Sequence, residues 1–219
     1  MSLNRLETDS RRLTKFFLIC GMVFAPLFFA VVFTQYFTRA GADIRQAPLS
    51  LLSLGDLGWI QIANFIITGL LALACAIGIR RALAGNAGGT WGPLLIAASG
   101  LGLILAGIFH PDPSYGFPPG TPAGAAATMS GHATIHQTGF FIVVISLIAA
   151  CFVFSRGFRS RVQNKWGIYS IATGIVAPVL IIVGFTTNTI WAITCAAVIT
   201  FGWLSVVAGR LRADLNKVS

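Results

Sequence analysis

Residues 16–37 read FFLICGMVFAPLFFAVVFTQYF, a run without a charged side chain. An α-helix of about 20 such residues spans a hydrocarbon core of roughly 30 Å. Basic residues precede the run, as in a signal peptide. However, it is longer than the roughly 7 to 15 residues of a signal-peptide core, and no small-x-small cleavage site clearly follows it. The run therefore predicts a retained transmembrane helix, in which Pro26 should cause a kink or open the backbone to a neighbour.

Five more apolar runs of similar length follow along the 219-residue chain. With 56% apolar and 10% charged residues and a mean hydropathy of +0.82, the composition is far from that of a soluble domain. The pattern predicts an all-α, polytopic membrane protein in which residues 1–219 form a single domain, a bundle of six transmembrane helices. The predicted helices cover about residues 16–37, 57–79, 93–109, 132–154, 166–187 and 189–209.

The protein has a net charge of +9, and the positions of its 15 basic residues predict how the chain crosses the membrane. Arg39 and Arg45 fall on one side of the six-helix topology, and the other thirteen fall on the opposite side. By the positive-inside rule, both termini of this multi-pass protein are predicted to be cytoplasmic. The thirteen are Arg5, Arg11, Arg12, Lys15, Arg80, Arg81, Arg156, Arg159, Arg161, Lys165, Arg210, Arg212 and Lys217.

The basic residues lie in short flanks of the helices and form no folded basic face. Such flanks are typical of membrane topology and of contact with anionic headgroups, so the lipid bilayer is the predicted partner and nucleic acid is not. Signatures of a P-loop, a dinucleotide site and a serine-hydrolase elbow are also absent from the sequence.

A proline-rich segment, HPDPSYGFPPGTP at residues 110–122, interrupts the apolar runs and holds five of the nine prolines. Proline fixes φ and removes a backbone donor, while Gly116 and Gly120 permit turns. The segment from Phe109 to Thr128 is therefore predicted to be an ordered, extended lid on the outer side of the membrane.

The three histidines gather beside this lid. His110 ends the third predicted helix, while His132 and His136 begin the fourth and lie four residues apart, which places them on one helical face. Together with Asp112 they predict a set of zinc ligands with a position left for water, and bound zinc would yield a hydroxide nucleophile near neutral pH. The alternative is that the histidines hydrogen-bond carbonyls or headgroups and that Asp112 caps a turn.

Polar side chains recur at a similar depth on several predicted helices. Gln61, Asn64 and Thr68 form a stripe on the second helix, and Gln137 and Asn188 lie on or after the fourth and fifth. Lipid offers such groups no partner, so they should face the interior of the bundle. They predict a polar pocket in the outer leaflet, roofed by the lid and lined by Gln61, Asn64, Gln137 and Asn188. Ordinary interhelical hydrogen bonds would also explain the stripe.

Three segments carry a family resemblance: PLSLLSLGDLGWIQIANFIITGL at residues 48–70, IFHPDPSYGFPPGTP at 108–122 and SGHATIHQTGFF at 130–141. Together they resemble the bacterial membrane proteins grouped as domain of unknown function 998, and the resemblance covers most of the chain. It implies a six-helix protein of the bacterial inner (plasma) membrane with no settled activity, and it assigns no catalytic residues.

His132 and His136 are also similar to the HxxxH of intramembrane metal-dependent hydrolases of the alkaline ceramidase and adiponectin receptor type. This similarity implies zinc held by His110, His132 and His136. Asp112 would orient or deprotonate the water, and Ser130 would donate to the oxyanion. The chain departs from that pattern because it has six predicted helices instead of seven, because the HxxxH is not on the last helix, and because the site faces outward.

Three functions follow from these features. The first is a metal-dependent hydrolase acting on a lipid or small amphiphile in the outer leaflet. The second is a non-enzymatic protein that binds or transports a small molecule in the same pocket. The third is a protein that docks a partner through the proline-rich lid, using exposed Tyr115 and Phe117.

Overall fold

The computed structural model describes residues 3–217, with side chains described from residue 8 onward. Within this part the chain is helical and has no β-strand. The described part leaves out residues 1, 2, 218 and 219. It also leaves out the side chain of Arg5, so the prediction that Arg5 is one of the inner basic residues lies outside it. The helices are α1 (Leu3–Thr38), a short 3-10 helix (Leu49–Ser53), α2 (Gly58–Ala82), α3 (Trp91–Ile108), α4 (Gly131–Arg159), α5 (Asn164–Thr186) and α6 (Ile190–Lys217).

All six α-helices are long and apolar enough to cross a membrane. This confirms the predicted all-α fold, and the protein is a multi-pass membrane protein. The helices extend beyond the apolar runs: α1 begins at Leu3 instead of Phe16, and α6 ends at Lys217 instead of Gly209. Hydropathy detects only the stretch that fits the bilayer, whereas lysine, arginine and glutamate are good helix formers that continue a helix into water.

The six helices form a closed ring. Each packs against the next along the chain, and α6 returns to pack against α1. Inside the ring, α2 also contacts α6, and a cluster of phenylalanines fills this side. Ring centroids are 4.8 Å apart for Phe24 and Phe201, 5.0 Å for Phe28 and Phe201, and 5.6 Å for Phe28 and Phe65. On the side of the ring next to α4, the described side chains leave a cavity.

Pairs of glycines bring the middle helices of the ring close together. A Cβ on Gly69 of α2 would lie 2.6 Å from the carbonyl oxygen of Gly100 on α3, and a Cβ on Gly100 would lie 2.7 Å from that of Gly69. Gly102 on α3 and Gly139 on α4 have the same mutual relation at 2.8 Å. Small residues allow this approach, which fixes the start of α4 against the end of α3.

The proline-rich lid spans the ends of α3 and α4, and this end of the ring is called the lid end. Its turn is held by hydrogen bonds from Tyr115 N to Gly124 O (2.6 Å) and from Gly116 N to Pro122 O (3.0 Å). Phe117 is 2% exposed, with the Arg39 guanidinium 5.0 Å from its ring centroid. The Phe117 ring therefore packs under the lid against Arg39 and is not exposed to a partner, and docking through the lid stays a prediction.

Candidate functional site

An apolar chamber of about 110 Å³ lies on the unfilled side of the ring. Its walls come mainly from α4 and α6, which both pack against α5, and include Phe140, Val143, Ile193 and Ala197. The Pro48–Ser50 segment closes it from the α1–α2 connection. The chamber is thus a space in the membrane-embedded part of the bundle that apolar side chains surround.

A second cavity of about 270 Å³ lies between this chamber and the lid, and is called the mouth. Its lining is more polar and includes Asp112, Ser114, Gln137 and Asn188. The mouth and the chamber adjoin, because the same residues border both. These shared residues are Pro48, Ser50, His136, Phe140, Ile190 and Ile193.

His136 is the ionisable side chain among these shared residues, and it is 5% exposed. Its Nδ1 lies 2.8 Å from the carbonyl oxygen of Phe109 and 3.0 Å from that of Ala106. Carbonyls only accept hydrogen bonds, so Nδ1 carries the proton and donates. These carbonyls belong to the last turn of α3 and just beyond it, where helix oxygens lack a partner within the helix. Nε2 is left as the acceptor, and it has no protein partner among the side chains described.

The other two histidines lie together near the surface. The ring centroids of His110 and His132 are 5.1 Å apart, and the two ring planes are tilted by 34°. The rings of Phe109 and His132 meet in a T-shaped arrangement with centroids 5.3 Å apart. Within residues 3–217, no group of three or more histidine, cysteine, aspartate or glutamate side chains is placed to hold a metal ion. The structure thus pairs His110 with His132 and engages His136 with carbonyls, and the zinc site stays a prediction.

Asp112 and Ser130, the predicted catalytic pair, contact each other at the start of α4. Asp112 Oδ2 accepts a hydrogen bond from Ser130 N at 2.7 Å, and Ser130 Oγ accepts one from Ala133 N at 3.1 Å. Ser130 is therefore the N-cap of α4. The bond from the Ser130 backbone holds the pKa of Asp112 below its ordinary range. Asp112 also borders the mouth. The catalytic roles of Asp112 and Ser130 stay predictions.

The four residues predicted to line the pocket occupy two different places. Gln137 and Asn188 border the mouth. Gln61 and Asn64 lie away from both cavities and are buried between α1 and α2. Gln61 Oε1 accepts from Gln35 Nε2 at 2.9 Å and from Asn64 Nδ2 at 3.3 Å. The face of α2 that carries them packs against α1, where Gln35 and the carbonyl oxygen of Phe28 are their interhelical partners.

The apolar residues of the chamber escaped the sequence analysis. Val143, Leu147 and Ile193 look like any other membrane-embedded aliphatic residues in the sequence. The pattern of a helix gives its buried face but does not distinguish a filled interface from an open one. The HxxxH spacing of His132 and His136 was the one signal that led to this part of the bundle.

A family model described as Protein of unknown function (DUF998) matches residues 22–212. The match takes in the lid and every residue that borders the chamber or the mouth. No curated protein and no solved structure matches the chain significantly. With six membrane-spanning helices and a match over most of its length, the chain belongs to the DUF998 family of proteins of unknown function.

Proposed function

We propose that this protein binds a lipid or small amphiphile, with the apolar chain in the chamber and the polar head in the mouth. The observation that carries the proposal is the junction at His136, where a polar cavity adjoins an apolar one. Burial of an apolar chain contributes about 25 cal/mol per Å² of surface removed from water. A head that hydrogen-bonds in the mouth would fix the direction of the ligand.

The polar groups of the mouth favour a head that donates hydrogen bonds. Among the described residues that border it, Asp112 is the only charged side chain. Its carboxylate and Nε2 of His136 both accept, and the amides of Gln137 and Asn188 either donate or accept. A hydroxyl or an ammonium head fits these groups, whereas a carboxylate head would face the like charge of Asp112.

The proposal also includes an orientation. The lid and the mouth face the outer side of the bacterial inner membrane, and both termini are cytoplasmic. This orientation is supported by the positions of the basic residues, which lie mainly at the end of the bundle opposite the lid.

The binding proposal is tested by filling the chamber. Val143→Trp places a large ring in the chamber, and Ile145→Trp is the matched control because Ile145 is 64% exposed on the outside of the same helix. Binding of tritium-labelled dodecanol, dodecylamine and dodecanoic acid to the purified full chain is measured in detergent. We expect the alcohol and the amine to bind the wild type and Ile145→Trp, and Val143→Trp to lose at least about tenfold in affinity.

Overpacking costs roughly 1–3 kcal/mol, so Ala197→Leu on the α6 wall provides a smaller change if Val143→Trp does not fold. Equal affinity of the alcohol for the wild type and for a folded chamber variant would rule the proposal out. Tighter binding of dodecanoic acid than of dodecylamine would contradict the proposed role of Asp112.

Hydrolysis at a zinc ion is a second candidate function, and the pairing of His110 with His132 is the observation in its favour. Nδ1 of His136 faces two carbonyls, so this ring would offer Nε2 only. Stoichiometric zinc in the purified wild type that is lost in His132→Ala would support this candidate. Zinc that His132→Ala leaves unchanged would remove it.

A further inference from the structure

A pair of arginines lies at the end of the bundle opposite the lid, where residues 160–163 connect α4 to α5. Arg161 Nε donates to the carbonyl oxygen of Gly157 at 2.9 Å, which belongs to the last turn of α4. Its guanidinium lies 5.2 Å from the ring centroid of Phe158. The hydrogen bond and the ring together fix the guanidinium in one position.

Arg210 approaches the same place from α6. Its Nη2 lies 2.7 Å from Asp214 Oδ1, and its guanidinium lies 5.6 Å from the Trp166 ring centroid. Gln163 Nε2 donates to the other carboxylate oxygen of Asp214 at 3.2 Å. The carboxylate is therefore already held by two donors.

The two arginines are close enough to interact electrostatically. Burial lowers the pKa of Arg161, Asp214 raises it and Arg210 lowers it further. The Phe158 and Trp166 rings that carry the two guanidinium groups have centroids 6.3 Å apart. Asp214 forms its ion pair with Arg210, which leaves the positive charge of Arg161 in partly buried surroundings. Within the described part of the chain, Nη2 of Arg161 and Nε of Arg210 are buried and have no hydrogen-bond partner, and the amide oxygen of Gln163 is also buried without one. A buried N–H group without an acceptor is costly. One neutral amide oxygen does not balance the positive charge, so an anionic acceptor fits this place.

We propose that Arg161 and Arg210 bind the phosphate of an anionic phospholipid. A phosphate oxygen is the acceptor that guanidinium groups hold best, through charge-assisted hydrogen bonds. The neighbouring residues indicate a lipid as the source of the phosphate. Trp166 and Tyr169 are aromatic residues of the kind that mark the headgroup level, and Ile168, Ile175 and Val179 continue from them as an exposed apolar face of α5.

The acyl chains of this lipid lie along that face of α5, which has the least buried span of the six helices. Basic pockets between helix ends are a known means of binding such headgroups. The site lies at the opposite end of the bundle from the mouth and uses none of the residues that line it. An experiment on this site therefore tests it independently of the amphiphile proposal.

The test compares Arg161→Gln with Arg156→Gln, an exposed arginine at the same end of α4 that gives the same change in charge. Purified full chain in detergent is mixed with equimolar phosphatidylglycerol and phosphatidylcholine, and the lipid retained is counted by native mass spectrometry. We expect the wild type and Arg156→Gln to retain phosphatidylglycerol in preference to phosphatidylcholine. Arg161→Gln should lose at least about tenfold in apparent affinity for phosphatidylglycerol.

Thermal unfolding of the wild type provides a measurement that does not depend on a variant, since a ligand that binds only the folded state raises the unfolding temperature. Phosphatidylglycerol should raise it more than inorganic phosphate at the same concentration. Equal effects of these two would overturn the assignment to a lipid. Equal retention by Arg161→Gln and Arg156→Gln, or no preference over phosphatidylcholine in the wild type, would overturn the site.

Discussion

His136 combines two contacts that substitutions can separate. An asparagine amide reaches about as far as Nδ1 of histidine, so His136→Asn retains a donor for the carbonyls of Ala106 and Phe109 but removes Nε2 from the junction. We expect this variant to unfold within about 1 kcal/mol of the wild type and to bind dodecanol at least about tenfold more weakly. His136→Ala leaves both carbonyls without this donor and should lower stability by roughly 1–3 kcal/mol. Thermal unfolding and dodecanol binding in the same detergent measure both effects.

Phe24 is fully buried, its ring centroid lies 4.8 Å from that of Phe201, and it borders neither cavity, so it offers a control for general loosening of the bundle. Phe24→Leu should lower stability while retaining most of the dodecanol affinity. Wild-type affinity in His136→Asn would show that Nε2 does not contact the ligand.

The sequence predicted that His132 and His136 share a face of α4, but not which of them points inward. That depends on the carbonyls of Ala106 and Phe109, which lose their helical partners because α3 ends at Ile108. Local spacing contains no information about the end of a neighbouring helix. For the same reason, the spacing of Gln61 and Asn64 indicated a buried polar stripe but not the α1 residues with which it forms hydrogen bonds.

At the level of helices, paired glycines set the distances between α2, α3 and α4. Gly100→Ala and Gly139→Ala each place a Cβ within 3.0 Å of a backbone oxygen on the neighbouring helix. Neither backbone can move without disturbing the ring, so each change should destabilise the protein by about 1–3 kcal/mol. Gly202→Ala on α6 is the matched control because a Cβ there meets nothing within 4 Å.

Alanine is the better helix former by roughly 0.5–1 kcal/mol, so Gly202→Ala should leave stability unchanged or raise it. Thermal unfolding of the three variants in one detergent gives the comparison. If Gly139→Ala were as stable as Gly202→Ala, α3 and α4 would be farther apart than the 2.8 Å from a Cβ at Gly139 to the Gly102 oxygen implies.

Pro26 illustrates what a helix-level prediction gives and what it omits. A proline inside α1 predicts a kink or a backbone opened to a neighbour. In the structure α1 continues through Pro26, and Ser205 of α6 contacts the turn before it: its hydroxyl donates to Gly21 O at 2.9 Å and accepts from Ala25 N at 3.1 Å. A backbone contact to a neighbouring helix follows from the sequence, but the partner is 184 residues away from Gly21 along the chain. Only the closure of the ring brings it there.

For the whole molecule, hydropathy predicted the six helices, and it did so because lipid requires every backbone polar group to be paired within a helix. The closure of α6 against α1 and the open space beside α4 did not follow from it. Both depend on how side-chain volumes add up across the ring, as where Phe28 and Phe201 fill one side. The result is one bundle with a polar mouth at the lid end and a basic surface at the other.

The basic residues also predict how the whole bundle is oriented in the membrane. At the lid end, Arg39 donates to the carbonyls of Leu52 and Leu54, and Arg45 pairs with Asp43 at 2.9 Å. These are the two basic residues on this side of the topology, and the other thirteen fall on the opposite side, which we therefore expect to be cytoplasmic. Ala123→Cys in the lid and Val162→Cys in the α4–α5 connection are both exposed positions that report on the two ends.

A membrane-impermeant maleimide should label Ala123→Cys in intact spheroplasts and Val162→Cys only after the membrane is permeabilised. The four native cysteines lie within the helices, so the wild type gives the background. Labelling of Val162→Cys alone in intact spheroplasts would reverse the orientation. The chamber and the arginine pair would keep their geometry, but the mouth would then open to the cytoplasm, and its amphiphile would have to come from the inner leaflet.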